Sequence, residues 1–274
     1  FELSQDTKLV APGDAKDAAE LFAAQARLST GYPLPVVDSG EASGNITFKT
    51  GAVAGHSGTE AYALTSTKSG VTITANAAHG FFNATQTLRQ LLPGFINSKY
   101  PVYAAWEVPA VEIKDSPRYS YRAIMLDPAR SFLTVDEVKH VLDQMASLKM
   151  SYLHFHLADD QGWRIEITNE GRAEGDTIDY TRLTGVSGRT AMNMHDKAKS
   201  NEVGRTGYYT QAQYKEIVAY AAARHITLVP EIDLPGHTNA ALHAIPQLNT
   251  AGSSHQATTA EPTAPANGTG AVGY

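Results

Sequence analysis

The strongest constraint on the fold is an alternation of apolar runs and amphipathic stretches that begins at residue 121. Three runs are typical of buried strands: YRAIMLD (121–127), YLHFHL (152–157) and ITLVPEID (226–233). A helical pattern lies between each run and the next. Because strands that alternate with helices pair in parallel through right-handed crossovers, this half of the chain is predicted to form a parallel α/β sheet.

The two intervening helices carry start signals. Thr134-x-x-Glu137 and Thr210-x-x-Gln213 are capping boxes, which predict a helix after each threonine. Asp136 and Glu137 are adjacent acids, but in the first turn of a helix negative charge offsets the macrodipole, so we predict a structural role for them. The predicted apolar faces are Val135, Val138, Leu142, Met145 and Leu148 in the first helix, and Tyr214, Ile217, Val218, Ala221 and Ala222 in the second.

The first 115 residues follow a different pattern, typical of a small α+β domain. Prolines 101, 109 and 117 indicate a connection, so the expected domains are 1–115 and 118–274. A polar, Gly-rich insertion over 169–209 and a terminal stretch of about 25 residues are expected to be loops. In the first domain, helices are predicted at 14–29 and 81–92 and strands at 34–38, 45–50, 61–67 and 71–76, the last two joined as a hairpin.

Composition excludes several classes of protein. The 274 residues carry a net charge of −6 and no cluster of basic residues, which argues against a nucleic-acid partner. There is no cysteine, so a disulfide framework and a thiolate metal site are excluded. No segment is long and apolar enough for a membrane span to be expected. A neutral or weakly charged partner fits this composition best.

Charged or ionisable side chains follow all three predicted strands of the second domain. In parallel α/β folds, chemistry collects beyond the carboxyl ends of the strands, so these groups are expected to meet. Simpler roles stay open for single residues, such as a helix cap, an ion pair or a solvated loop position. In chain order the groups are Asp127 with Arg130, Asp159 with Asp160, and Asp233 with His237.

His154 and His156 lie two residues apart in a predicted strand, so both imidazoles face the same side of the sheet. With His237 they would suit the metal site of a barrel metallohydrolase. Both histidines, however, lie inside the strand and before its acidic end. Core positions, or positions that support neighbouring site residues, are therefore the favoured interpretation.

Four blocks of sequence resemble glycoside hydrolase family 20, the β-N-acetylhexosaminidases and their relatives. The blocks occur in the family's order and cover most of the chain. The resemblance implies a small α+β domain followed by the first three βα units of a (β/α)8 TIM barrel, which is incomplete in this chain. The blocks are EAYALTSTKSGVTITANAAHGFFNATQTLRQLL (60–92), YRAIMLDPARSF (121–132), KMSYLHFHLADDQGWRIEI (149–167) and GYYTQAQYKEIVAYAAARHITLVPEIDLPGHTNAAL (207–242).

The resemblance implies a retaining exo-glycosidase that releases terminal β-linked N-acetylhexosamine. In that family the carbonyl oxygen of the substrate's 2-acetamido group attacks the anomeric carbon and forms an oxazolinium, an exception to the two-carboxylate scheme. A Glu protonates the leaving oxygen, and the Asp before it orients the acetamido group. By resemblance, Arg130 binds sugar hydroxyls, and Asp159 with His237 forms a pair that supports the Glu.

The family's His-x-Gly-Gly-Asp-Glu motif, which holds that Glu, does not occur in the 274 residues. We therefore expect this chain to be the amino-terminal part of a longer enzyme, with the remainder needed to close the barrel. The expected partner is a carbohydrate with a β-linked N-acetylhexosamine, with no cofactor and no metal. The expected location is secreted or on the cell surface, in a bacterium.

Three other functions stay open at this point. A lacto-N-biosidase of the same family would release a Gal-GlcNAc disaccharide, and the 169–209 insertion would widen its pocket. A barrel metallohydrolase would use His154, His156 and His237. A non-catalytic glycan-binding module would need no acid pair.

Overall fold

The computed structural model describes residues 1–190 and 205–248 of the chain. The chain divides into two compact units. The first consists of Phe1–Tyr121 with Ala146–Lys149, and the second of Arg122–Met145 with the residues from Met150 onward. Each unit has its own sheet.

The first unit is built on a six-stranded mixed sheet in the order β2-β1-β3-β5-β4-β6. Strands β1, β2, β3 and β5 are parallel, while β4 runs antiparallel to both β5 and β6. The elements are β1 (Leu9–Val10), α1 (Lys16–Thr30), β2 (Val36–Val37), β3 (Ile46–Thr50), β4 (Tyr62–Thr67), β5 (Gly70–Ala75), α2 (Ala78–Leu91) and β6 (Val111–Asp115), with 3-10 turns at Gly13–Ala15 and Gly94–Asn97.

Both predicted helices and the hairpin of the first unit are confirmed. Helix α1 ends at Gly31, whose φ of 70° is the left-handed conformation that glycine adopts without a steric cost. The hairpin pairs Thr67 with Gly70. One expectation was wrong: the proline-punctuated stretch interpreted as a connection contains β6. Pro109 and Pro117 flank this strand rather than interrupt it, as prolines do at edge strands.

The second unit has three parallel strands in the order β10-β8-β7, and β9 adds to β8 in the antiparallel direction. Strand β8 is therefore central, and Leu153, Phe155 and Leu157 on one of its faces are fully buried. The ring of Phe155 stacks on Tyr214 of α5, which fixes that helix on this face. The elements are β7 (Ala123–Leu126), α3 (Val135–Ser147), β8 (Tyr152–Asp159), β9 (Gly162–Trp163), α4 (Arg182–Ser187), α5 (Gln211–Ala222), β10 (Thr227–Ile232) and α6 (Asn239–Ala244), with a 3-10 turn at Pro246–Leu248.

Both capping boxes form as predicted. At α5, the Thr210 side chain accepts a hydrogen bond from the Gln213 backbone, and the Gln213 side chain bonds back. At α3, the Glu137 carboxylate accepts from the Thr134 backbone N–H at 2.8 Å. Glu137 also pairs with Arg205, and this hydrogen bond lowers the pKa of Glu137 to about 2. The structural role predicted for this acid pair is therefore confirmed at Glu137.

Several side chains that the sequence predicted to be buried are exposed. In β7, Ile124 and Met125 are 36% and 50% exposed, because among the described residues this strand has a neighbour on one side only. Leu148 is exposed because it follows the last residue of α3, where the chain turns at Lys149 with a φ of 56°. Val218 is exposed on α5, whose buried face is narrower than predicted.

The predicted loop at 169–209 contains more structure than expected, and a second short helix lies where no element was predicted. The 169–209 insertion includes helix α4, and α6 follows β10. Leu183 of α4 and the Ala241, Ala244 and Ile245 side chains form a small apolar cluster, against which Trp163 packs. Helices this short lack a periodic signal, so only the packed cluster reveals them. Residues 191–204 of the insertion and the predicted terminal loop lie outside the described residues.

No helix in the described part of the chain has the length and apolar character needed to cross a membrane.

A glycine in α2 provides a test of packing in the first unit. A Cβ at Gly80 would lie 2.4 Å from the Ala61 carbonyl oxygen, whereas a Cβ at Gly94 would meet nothing within 4 Å. We expect Gly80→Ala to lower the free energy of unfolding by about 1–3 kcal/mol through overpacking, and Gly94→Ala to change it by less than about 0.5 kcal/mol. Urea denaturation measures both. Equal stability of the two variants would contradict the close approach of α2 and Ala61.

Candidate functional site

The carboxyl ends of the three parallel strands bring Arg130, Asp159 and His237 together. The Arg130 guanidinium lies 2.5 Å from Oδ2 of Asp159 through Nη2. Nδ1 of His237 lies 3.1 Å from Oδ1 of the same carboxylate. Asp159 thus connects the other two residues: Oδ2 contacts the Arg130 guanidinium, and Oδ1 contacts the His237 imidazole.

The Asp159 side chain is fully buried and takes its hydrogen bonds from several directions. Its Oδ2 is 2.8 Å from Nε2 of His156, and its Oδ1 accepts the Asp160 backbone N–H at 2.5 Å. Burial by itself raises the pKa of Asp159, but these hydrogen bonds and the charge of Arg130 outweigh burial and hold the pKa below its ordinary value. Asp159 is therefore an anion at neutral pH.

Asp160 plays a different part from its neighbour. One of its oxygens accepts the backbone N–H of Asn239, at 3.1 Å, where α6 begins. The carboxylate also lies 3.7 Å from Nδ1 of His237. Burial raises the pKa of Asp160. Asp160 fixes the loop that carries the histidine, whereas Asp159 contacts the imidazole directly.

The turn that carries His237 has an unusual backbone. His237 has a φ of 56°, a left-handed conformation uncommon for residues other than glycine. The Thr238 hydroxyl donates to the Pro235 carbonyl at 3.0 Å and closes the turn. The His237 side chain is 54% exposed although its Nδ1 faces Asp159. Because Nδ1 faces Asp159, Nε2 is the ring nitrogen left to bind a further group.

Asp127 has one of the simpler roles that the sequence left open, an ion pair, whereas Asp233 lies beside another carboxylate. Asp127 pairs with Arg130 through Nη1 at 2.5 Å and also accepts the Arg130 backbone N–H at 3.0 Å. Asp233 faces Glu231, and burial together with this neighbouring carboxylate raises the pKa of Asp233. Glu231 was missed in the sequence analysis. The available signal was its period-two spacing from Asp233 on the same strand face.

The two strand histidines differ in environment. His156 is buried against Asp159, and His154 pairs with Glu231 through Nε2. Two groups of three potential metal ligands lie with their atoms within 4.8 Å of one another: His156 with Glu231 and Asp233, and Asp159 with Asp160 and His237. Within the described ranges, neither group unites the three histidines that a metallohydrolase was expected to use.

Arg164 is the second residue that the sequence analysis missed. Its side chain is fully buried, and burial lowers its pKa to about 10. A Cβ at Gly162 would lie 2.3 Å from the guanidinium, so only glycine fits beside it. The guanidinium donates to the carbonyl oxygens of Pro128, Ala129, Gly188, Thr190 and Gly207, at distances of 2.6 to 3.3 Å.

These bonds fix the segment that leads into the site. Pro128 and Ala129 directly precede Arg130, so the Arg164 guanidinium holds the backbone from which the Arg130 side chain starts. Gly188 and Gly207 lie within the 169–209 insertion, one before and one after residues 191–204. The position of Arg130 therefore depends on a charge that does not itself reach the site.

Comparison with known proteins assigns both units. Residues 1–116 match the model for glycosyl hydrolase family 20, domain 2, and residues 119–269 match that for glycosyl hydrolase family 20, catalytic domain. The chain belongs to glycosyl hydrolase family 20. The family resemblance seen in the sequence is thereby confirmed, and so is the fold class, a small α+β domain followed by the first part of a TIM barrel.

Relatives within family 20 are named as hexosaminidases. The chain is 41% identical over 249 residues to a β-hexosaminidase of Porphyromonas gingivalis, a match that covers 90% of this chain and 30% of that protein. The solved N-acetyl-β-hexosaminidase of Streptomyces plicatus, in complex with thio-NAglucal, is 40% identical with a TM-score of 0.81. That of Streptomyces coelicolor A3(2) is 39% identical with a TM-score of 0.80.

This chain spans about half of those two Streptomyces structures, since the match covers 96% of this chain and 48% or 49% of theirs. It covers a still smaller share, 30%, of the Porphyromonas protein. The chain thus corresponds to part of the length of its relatives in glycosyl hydrolase family 20.

The hydrogen bonds from Arg164 to backbone carbonyl oxygens lead to a prediction about stability. Lysine has three N–H donors where arginine has five, so Arg164→Lys leaves at least two buried carbonyls without a donor. We expect a loss of about 2–4 kcal/mol in the free energy of unfolding. Arg172→Lys is the matched control, because Arg172 is exposed and donates to one carbonyl, that of Ile178. Denaturant titration measures both, and a loss at Arg164 no larger than at Arg172 contradicts the assigned role.

Proposed function

We propose that the complete polypeptide containing this chain is a retaining exo-glycosidase that releases terminal β-linked N-acetylhexosamine. One observation carries the proposal: the Arg130 guanidinium is locked between two carboxylates at the carboxyl end of the sheet, beside the Asp159–His237 pair. A fixed guanidinium with spare donors suits a sugar, whose hydroxyls need donors at defined positions. The hexosaminidase names of the relatives support the same substrate class.

Each residue of the site has a proposed role. Asp127 and Asp159 occupy two of the five N–H donors of Arg130 and leave others for sugar hydroxyls. Asp159 orients His237, whose exposed ring edge then hydrogen-bonds the acid/base Glu and helps to set its protonation. In this proposal Asp159 and His237 support the acid, and neither attacks the sugar.

The chemistry proposed is substrate-assisted. The oxygen of the substrate's 2-acetamido group forms the bond to the anomeric carbon while the Glu transfers its proton to the leaving oxygen. Water then opens the oxazolinium, with the same Glu as base. An Asp–Glu pair in the remainder of the polypeptide supplies these two carboxyl groups, and no cofactor or metal is needed.

The remainder of the polypeptide is also the proposed structural partner. The described residues hold three parallel strands of the second unit, whereas a TIM barrel has eight strands and typically about 250 residues. Strands β7 and β10 each have one side without a neighbour among the described residues, and these sides suit the missing strands. We propose a secreted or cell-surface location, where such glycans are found.

Substrate comparison tests the activity. We expect the complete polypeptide to hydrolyse p-nitrophenyl N-acetyl-β-glucosaminide, and to release the sugar with its β configuration retained, as seen by proton NMR of the product. Turnover of p-nitrophenyl lacto-N-bioside alone would instead identify a lacto-N-biosidase. Binding of these sugars without turnover would identify a glycan-binding module, and activity that a chelator abolishes would identify a metallohydrolase.

The role of Arg130 has a separate test. Removing a sugar-binding cation weakens the ground state and the transition state together, so Arg130→Ala is expected to raise KM and to lower kcat/KM by about 10- to 100-fold. Arg172→Ala, at an exposed position, is the control and should match the unaltered enzyme. If Arg130→Ala leaves both KM and kcat/KM unchanged while the enzyme remains active, Arg130 does not bind the sugar.

A further inference from the structure

The imidazole of His156 lies between carboxylates on two neighbouring strands. His156 belongs to β8, and its register partner in the parallel strand β10 is Glu231. Nε2 of His156 is 2.8 Å from Oδ2 of Asp159, and Nδ1 is 3.0 Å from Oε1 of Glu231. Only 3% of the His156 side chain is exposed, so these carboxylates rather than water determine its protonation.

Two facing carboxylates favour the charged form of the ring. A neutral imidazole has one N–H and would direct its other lone pair at an anion. An imidazolium instead donates from Nε2 to Asp159 and places its Nδ1–H at ion-pair distance from Glu231, although Nδ1 forms no hydrogen bond. The hydrogen bond to Asp159 raises the pKa of His156 to about 9 from 6.5, so the ring keeps its charge at neutral pH and loses it as pH rises through about 9. The ionisable groups of the surrounding site are Asp127 and Arg130 after β7, His154 and Asp159 on β8, Glu231 and Asp233 on and after β10, and His237 in the following turn.

A charged His156 restricts how the Asp159 carboxylate can lie. Oδ2 of Asp159 meets two cations, His156 and Arg130, from different directions. That leaves Oδ1 to face Nδ1 of His237 and the Asp160 backbone N–H. Without His156, Oδ2 keeps only Arg130, and the carboxylate is held less firmly in the orientation that faces His237.

We propose that His156 is a positioning residue, which holds the Asp159 carboxylate in the orientation that presents Oδ1 to His237. Glu231 takes part by keeping the His156 ring in its doubly protonated form. The inference rests on the proposed function, because the oriented Asp159–His237 pair matters for catalysis only if it supports the acid/base Glu. His156 itself touches no substrate in this proposal.

The protonation state of the His156 imidazole can be measured independently of enzymatic activity. In the complete polypeptide labelled with 15N-histidine, long-range 1H–15N NMR reports the protonation of each ring nitrogen. We expect His156, assigned by its loss in His156→Gln, to be doubly protonated at pH 7.5 and to titrate near pH 9. His156→Gln should also change the ring signals of His237, since Asp159 loses its fixed orientation. A neutral His156 at pH 7.5 overturns the proposal.

Kinetics test the consequence for the reaction. For folded His156→Gln we expect kcat on p-nitrophenyl N-acetyl-β-glucosaminide to fall by about 10- to 100-fold and KM to change by less than about threefold, because Arg130 still binds the sugar. His140→Gln is the matched control, at an exposed position on α3, and should leave kcat unchanged. An unchanged kcat in folded His156→Gln overturns the proposal.

A second variant covers the case in which His156→Gln does not fold. Glu231→Gln keeps the imidazole and removes one anion, so the titration of His156 should move to lower pH and kcat should fall by about 3- to 10-fold. No shift in that titration, or a stoichiometric metal bound by His156, Glu231 and Asp233, overturns the proposal.

If the complete polypeptide hydrolyses no N-acetylhexosaminide, the proposed function fails, while the ring signals of His156 and His237 still decide the positioning role.

Discussion

The site depends on a charge buried among main-chain carbonyl oxygens. Among the described residues, the Arg164 guanidinium forms hydrogen bonds to five carbonyls from three segments of the chain. Moving such a cation out of water costs several kcal/mol, and five bonds in a dry environment offset that cost. A guanidinium can do this because its donors are fixed in one plane. The segment before Arg130 is thereby held by a group that does not itself reach the site.

A hierarchy of contacts leads from that charge to the chemistry. Arg164 holds the backbone before Arg130, and Arg130 holds one oxygen of Asp159. Asp159 in turn holds His237, the residue with the greatest exposure in this series. Arg164 and Asp159 are fully buried, whereas Arg130 is 30% exposed and His237 is 54% exposed. The proposed contact with the rest of the polypeptide thus belongs to the most exposed residue of the series. Such an order suits a site whose geometry must exist before the sugar arrives.

The sequence predicted those features that leave a periodic hydrophobic pattern or a local motif. The strands of the second unit, both capping boxes and the meeting of Arg130, Asp159 and His237 at one edge all follow from local patterns and from the rule for parallel sheets. Arg164 could not be predicted, since its partners are backbone oxygens more than 20 residues away. The register that places Glu231 opposite His156 is likewise a property of the folded sheet. The left-handed backbone of His237 has no signal of its own.

Among the described residues, β7 and β10 each have one side without a neighbouring strand, and this has a consequence for how such a polypeptide is made. Each presents a row of main-chain donors and acceptors that other strands can add to, and Ile124 and Met125 add apolar surface at one of them. During synthesis of the proposed complete polypeptide, this part of the barrel emerges from the ribosome before later strands are available. Its edges then compete between closure onto the same chain and association with a neighbouring nascent chain. In the proposed complete polypeptide, faster closure of the barrel would expose these edges for less time and so limit aggregation.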